Sequence, residues 1–187
     1  MLEVLSPITE AHTFNNFTMK EKTPVVKINL RGNPNNKDFS SKVGKILGII
    51  LPIKTGQVAT KEKITVLSLG PNEWLIVSND IITTDSNSYE LEQVLFDSIS
   101  KSNLGAVTNV SDQFTIFSLT GNNIFEVLSK ACPFDFDSLS DYKAIQTILN
   151  HVDVTIYKKN KDSIDLYVRR SFANYLWDWL KDSANLI

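Results

Sequence analysis

The chain has 187 residues, of which 42% are hydrophobic and 21% charged, so it can bury a core of its own. Its net charge of −2, with no stripe of Lys and Arg, argues against nucleic-acid binding. No basic and apolar leader opens the sequence, residues 46–53 form too short an apolar run to span a bilayer, and one cysteine excludes an internal disulfide. These features predict a cytoplasmic protein that does not bind membranes.

The first predicted elements are a strand, a turn and a helix. Residues 25–31 alternate apolar and polar side chains, which is typical of a half-buried strand. Gly32 and Pro34 predict a turn, and Gly48 is expected to end the helix that follows. The predicted buried stripe of that helix comprises Phe39, Val43, Ile46 and Ile50.

A hairpin, a second helix and a short strand follow. Residues 64–69 and 73–78 flank a tight Gly-Pro-Asn loop, as in antiparallel strands. A polar stretch over 83–88 leads to the helix, and residues 106–110 form the strand. The predicted buried positions of the helix are Leu91, Val94, Leu95 and Ile99.

A similar order recurs in the second half of the chain. It reads as a strand, a helix, a further strand, a hairpin and a closing helix, at residues 113–119, 124–131, 144–149, 152–168 and about 172–184.

The two halves therefore correspond in the order of their elements. Residues 28–33 and 117–122 both run from a strand into a Gly-Asn turn. Each half is summarised as β-α-β-β-α, a unit that needs a second layer to cover its open sheet face. We predict an α+β fold, a single domain over 1–187 made of pseudo-repeated halves at about 24–110 and 111–187. A chance match between two common βα turns is the alternative.

The chain offers little that predicts catalysis. His12 and His151 have no partners at metal-ligand spacing, and His151 is expected to face solvent. Cys132 has no activating base and reads as a structural thiol. Trp74 is expected in the core rather than against a ligand. We predict no catalytic, cofactor-binding or metal-binding residue in this chain.

The closing helix is predicted to start at the N-cap Ser171 and to bury Phe172, Leu176 and Trp179. Trp177 lies about 140° from Phe172 on a helical wheel, which places it off that stripe. A large aromatic side chain in this position is either half-buried or held for a partner.

Two arginines precede this helix, where its dipole would favour carboxylates instead. Arginine and aromatic residues together are typical of interaction hot spots. We predict a partner interface that comprises Arg169, Arg170, Tyr175 and Trp177. A solvated, intramolecular role for these residues is the alternative.

This C-terminal block also carries a family resemblance. The segment VRRSFANYLWDWL (168–180) resembles the closing segment of the gamma subunit of heterotetrameric sarcosine oxidase. Three other segments resemble the same family, over most of the chain from about residue 65: LGPNEWL (69–75), VTNVSDQF (107–114) and KACPFD (130–135). The hairpin segment is also similar to the aminomethyltransferase (glycine cleavage T protein) superfamily.

The resemblance implies a fold like the folate-binding domain of that superfamily. It also implies a non-catalytic structural subunit that assembles with alpha, beta and delta subunits. That enzyme oxidatively demethylates sarcosine to glycine and peroxide, and passes the one-carbon unit to tetrahydrofolate. FAD, FMN, NAD, zinc and tetrahydrofolate are implied for the other subunits, and no cofactor for this one.

Two departures argue against folate chemistry in this chain. Ala131 stands where folate-dependent repair relatives have the glycine of a Lys-Gly-Cys motif, and residues 169–171 replace a glycine-rich tract. A stand-alone folate-binding or aminomethyltransferase-like protein is nevertheless the second hypothesis, and a free-standing regulatory binder is the third.

Overall fold

The computed structural model describes residues 5–82 and 89–187 and has an α+β fold with two antiparallel sheets, as predicted. The chain divides into two compact units. The first comprises Pro24–Ser111 with Leu5, and the second comprises Ser6–Thr23 with Asp112–Ile187. The polar stretch predicted at 83–88 lies outside the described residues.

The strands, in chain order, are β1 (Ala11–Phe14), β2 (Phe17–Glu21), β3 (Val25–Gly32), β4 (Val58–Lys61), β5 (Ile64–Gly70), β6 (Glu73–Ile81), β7 (Gly105–Asn109), β8 (Phe114–Thr120), β9 (Lys143–Leu149), β10 (Val152–Asn160) and β11 (Ser163–Arg169). The helices are α1 (Lys37–Leu47), α2 (Glu90–Leu95), α3 (Ile124–Ser129) and α4 (Ala173–Ala184). A π-helical turn continues α2 over Phe96–Ser100, and 3-10 turns occupy Phe136–Ser138 and Arg170–Phe172.

The first unit is a five-stranded sheet, in the order β4-β5-β6-β3-β7, with its helices packed on one face. The Asn36 side chain caps α1 by accepting hydrogen bonds from the backbone of Asp38 and Phe39. Gly48 ends α1 in the left-handed conformation, with φ of 63°, as predicted. Since the chain changes direction there, Ile50 leaves the predicted stripe and is 93% exposed.

The predicted buried positions of the second helix are correct in part. Leu95 and Ile99 are fully buried, whereas Val94 is 42% exposed at the edge of the stripe. The helix is α-helical only to Leu95, and the π-helical turn that follows changes the helical phase.

The second unit is a six-stranded sheet in the order β1-β2-β8-β11-β10-β9. Helices α3 and α4 pack on one face of it, around a core that includes Phe117 and Leu166. The β1–β2 hairpin joins this sheet through β8, with Thr18 opposite Thr120. Sequence analysis assigned no element to this hairpin.

Both units contain the chain order strand, helix, three strands, helix. In the first unit this is β3-α1-β4-β5-β6-α2, and in the second it is β8-α3-β9-β10-β11-α4. The strand order β4-β5-β6-β3 in the first sheet corresponds to β9-β10-β11-β8 in the second. The predicted summary β-α-β-β-α is thus one strand short of this order. The four corresponding strands of the second unit were each predicted, whereas β4 was not, because its four half-buried or exposed residues carry no apolar alternation. The pseudo-repeat itself stays a prediction.

Candidate functional site

The predicted interface residues Arg169 and Arg170 lie at one end of the second unit's sheet. Arg169 is the last residue of β11 and pairs with Phe114 at the start of β8. The backbone N–H of Arg170 donates to the Gln113 carbonyl at 2.9 Å, and the chain then turns into α4. These residues line an open groove of about 550 Å³ with Pro7, Asp112 and Ser171.

The two arginines differ in their surroundings. Arg170 is half-buried in the 3-10 turn before α4, whereas Arg169 is exposed. Arg31, elsewhere in the chain, forms an ion pair with Glu73 at 2.9 Å. In the described part of the chain, Arg169 forms no such ion pair. Arg169 therefore presents a solvated guanidinium group on a rigid sheet.

Tyr175 lies at the same end of this sheet. Its hydroxyl accepts a hydrogen bond from Asn150 Nδ2 at 3.0 Å and lies 3.4 Å from the Asn150 carbonyl, to which it donates. Asn150 and His151 form the left-handed turn between β9 and β10. The hydrogen bonds hold a phenol ring that is 50% exposed. Phe172, three residues earlier in the sequence, is 45% exposed.

The prediction that Trp177 lies off the core face is wrong. Its side chain is 3% exposed, and its ring meets Phe117 edge-on with centroids 5.0 Å apart. The buried stripe of α4 comprises Ala173, Leu176, Trp177, Leu180, Ser183 and Ala184. Trp177 is therefore a core residue rather than part of a contact surface.

The buried stripe of α4 differs from the predicted stripe because of the way the helix starts. Residues 170–172 form a 3-10 turn, so Phe172 does not share the helical phase that the predicted stripe assumed. The predicted N-cap at Ser171 is also wrong, because Phe172 occupies that position without a side-chain cap. Trp179 is only partly buried and packs at the edge of the core.

The other side chains that were considered for catalysis or ligand binding are Trp74, Cys132, His12 and His151. Trp74 is fully buried and Cys132 is 8% exposed, as predicted, and Cys132 Sγ lies 3.6 Å from Thr147 Oγ1. His12 Nε2 lies 3.1 Å from a Glu10 carboxylate oxygen, and His151 is exposed. Within residues 5–82 and 89–187, no three His, Cys, Asp or Glu side chains are grouped to hold a metal ion. No helix in the same ranges has the length and apolar character that crossing a bilayer requires.

One charged cluster, formed by Asp165, Lys22 and Lys159, was not predicted from the sequence. The buried Asp165 carboxylate accepts hydrogen bonds from Lys22 at 2.7 Å and Lys159 at 2.8 Å. Burial lowers the pKa of Lys159, and the Asp165 carboxylate opposes that change. The only signal in the sequence is one acidic residue between two apolar ones in β11. Because both oxygens of Asp165 accept a hydrogen bond, the cluster connects β10 and β11 with Lys22, the residue that follows β2.

Comparison with known proteins identifies the family. The model of the sarcosine oxidase, gamma subunit family matches residues 31–185, and so begins before residue 65, where the resemblance of the sequence segments starts. Sarcosine oxidase subunit gamma of Corynebacterium sp. (strain U-96) is 26% identical over 174 residues, which cover 90% of this chain and 79% of that protein.

The fold is also that of a solved structure. A chain of the heterotetrameric sarcosine oxidase from Corynebacterium sp. U-96, in complex with pyrrole 2-carboxylate, superposes with a TM-score of 0.79 at 24% identity. The superposition covers 90% of this chain and 84% of that one. On the family match, this chain belongs to the sarcosine oxidase gamma subunit family.

Proposed function

We propose that this chain is the non-catalytic gamma subunit of a cytoplasmic heterotetrameric sarcosine oxidase. In that assembly it supports the oxidative demethylation of sarcosine to glycine, with transfer of the one-carbon unit to tetrahydrofolate. The catalytic groups, FAD, FMN, NAD, zinc and the folate site belong to the alpha, beta and delta subunits. The observation that carries the proposal is the family match over residues 31–185.

The surroundings of the reactive side chains support a structural role. His12 is paired with Glu10, and Cys132 is buried beside Thr147. Among the described residues, no hydroxyl or thiol is hydrogen-bonded to His12, and no base is hydrogen-bonded to Cys132, although nucleophilic catalysis requires such a pair.

The proposed docking surface comprises Arg169, Arg170, Tyr175 and Phe172. Phe172 replaces Trp177 in this set, because Trp177 is buried. An exposed guanidinium and two half-exposed aromatic rings supply the residue types that are enriched at the centres of protein interfaces.

Co-expression with the alpha, beta and delta chains of the same genome tests the proposal. We expect this chain to co-purify with a tagged alpha subunit in one active, flavin-containing complex. The chain purified alone is expected to be folded, free of flavin and inactive toward sarcosine. Sarcosine turnover or a tightly held flavin in the lone chain would contradict a non-catalytic role.

Calorimetric titration of the lone chain with a reduced folate separates the two leading hypotheses. The structural subunit is expected to give no binding heat. Saturable binding would favour a stand-alone folate-binding protein instead.

The docking surface is tested by the double variant Arg170→Ala/Tyr175→Ala. Arg170 is half-buried and Tyr175 is 50% exposed, so neither side chain belongs to the core, and the isolated variant is expected to keep its far-ultraviolet circular dichroism spectrum. We expect it to co-purify in reduced amount. Unchanged recovery of the complex would show that the surface lies elsewhere, while the subunit role would stand.

A further inference from the structure

The groove beside Arg169 has the chemistry of a carboxylate-binding site. It is lined by Pro7, Asp112, Gln113, Arg169, Arg170 and Ser171. We propose that it receives an acidic, extended segment of a partner subunit, and that Arg169 binds a carboxylate of that segment. This inference rests on the proposed subunit function and names the chemistry of the partner.

Charge is the first argument. Arg169 is exposed and, among the described residues, has no acidic side chain within ion-pair distance, whereas Arg31 is paired with Glu73. The chain as a whole is acidic, with a net charge of −2, but the exposed guanidinium of Arg169 places a positive charge at this groove. Its surface thus attracts a group of the opposite sign.

Donor geometry is the second argument. A guanidinium group offers a planar fork of N–H donors that matches the two oxygens of a carboxylate. Gln113 and Ser171 are both exposed in the groove and add an amide and a hydroxyl. Asp112 would repel a carboxylate, so the acid is placed toward Arg169 and Ser171.

The backbone at Arg169 excludes binding by addition of a partner strand to the sheet. Strand β11 is flanked by β8 and β10, and Arg169 is paired with Phe114, so its backbone groups are not those of a sheet edge. A partner therefore cannot add a strand here and must be recognised by side chains.

Rigidity favours this recognition. Arg169 ends a paired strand, and the Arg170 N–H is held by the Gln113 carbonyl. The backbone on both sides of the guanidinium is thus fixed before a partner arrives, which lowers the entropic cost of binding.

The test is a competition within the assembled complex. Wild-type chain and a variant, distinguished by mass, are co-expressed with the three partner chains. The ratio of the two in the purified complex, divided by their ratio in the lysate, gives the relative incorporation. The variants are Arg169→Glu, which reverses the charge, and Arg169→Lys, which keeps the charge but removes the fork.

Lys161→Glu is the matched control. Lys161 is 85% exposed in the turn before β11, whereas Arg169 ends the same strand, and both reversals change the net charge equally. The two sites are roughly 20 Å apart along the strand. A local carboxylate contact and a general charge effect therefore predict different results.

We expect Arg169→Glu to be incorporated at least about tenfold less than wild type, because a favourable contact becomes a repulsive one. The relative incorporation of Arg169→Lys is expected to lie between those of Arg169→Glu and wild type. That of Lys161→Glu is expected to lie within about twofold of wild type. Because Arg169 is exposed, all three variants are expected to fold, which circular dichroism of the isolated chains verifies.

Equal incorporation of Arg169→Glu and wild type would overturn the inference and leave the subunit role intact. Equal exclusion of Arg169→Glu and Lys161→Glu would also overturn it, since bulk charge would then explain the loss. Absence of the wild-type chain from the complex would overturn the proposed function, and this inference with it.

Discussion

Replacement of Trp177 by alanine tests directly how α4 packs on its sheet. The indole is 3% exposed and lies edge-on to Phe117 at 5.0 Å between ring centroids. Truncating a buried tryptophan to alanine costs about 3–5 kcal/mol, since transfer free energy is lost and a cavity is left. The aromatic pair contributes about 0.5–1.5 kcal/mol of this total. Because a domain is stable by only about 5–15 kcal/mol, the variant should lose a large fraction of its free energy of unfolding.

Urea unfolding of the isolated chain, followed by far-ultraviolet circular dichroism, measures the loss. Tyr175→Ala is the matched control, because Tyr175 lies two residues away on the same helix and is 50% exposed. That variant loses the hydrogen bonds to Asn150 and is expected to cost about 1 kcal/mol. The loss of unfolding free energy in Trp177→Phe should lie between those of Tyr175→Ala and Trp177→Ala. A smaller loss for Trp177→Ala than for Tyr175→Ala would refute the observed orientation of α4.

Three further predictions concern the rest of the core. Trp74→Phe should lower the free energy of unfolding by about 1–3 kcal/mol, because the Pro52 carbonyl loses the buried Nε1 donor at 2.7 Å. Urea unfolding measures this loss, and an unchanged midpoint would contradict the prediction. Gly48→Ala should cost about 1–2 kcal/mol, since φ is 63° there, and a thermal melt as stable as wild type would argue against the left-handed cap. Burial raises the pKa of Tyr157 and Tyr167. The folded chain therefore keeps protons that the unfolded chain releases above about pH 10, so stability should fall as the pH rises through that range. Tyrosinate absorbance should show Tyr167, whose pKa burial raises most, ionising only when the chain unfolds; its ionisation with an unchanged circular dichroism spectrum would be the contrary result.

Local signals in the sequence predicted the elements that carry their own patterns. The alternation of Val26, Ile28 and Leu30 marks β3, and all three side chains face the core of the first unit. Gly48 marks the end of α1, because only glycine adopts positive φ there without strain. The strands β1, β2 and β4 were missed, since they are short and are defined by their pairing with distant strands.

The candidate interface stays a prediction, but the structure gives the position of its residues. Arg169 and Tyr175 are exposed and lie at one end of the second unit's sheet. The groove itself was not predictable, because Pro7 and Gln113 are far from Arg169 in the sequence and lie beside it only in the folded chain.

The amino-acid sequence by itself determined the α+β class, the order of most elements and the family. Periodicity supplies this information because it records which residues share a face of a strand or helix. Only the tertiary structure decided which face of α4 is buried, since a helical wheel gives relative angles and the sheet beneath fixes the absolute one. Trp177 is therefore in the core, against Phe117 of β8. Tertiary structure also decided the pairing of Asp165 with Lys22, because these residues are 143 positions apart and meet only when β2 and β11 join one sheet.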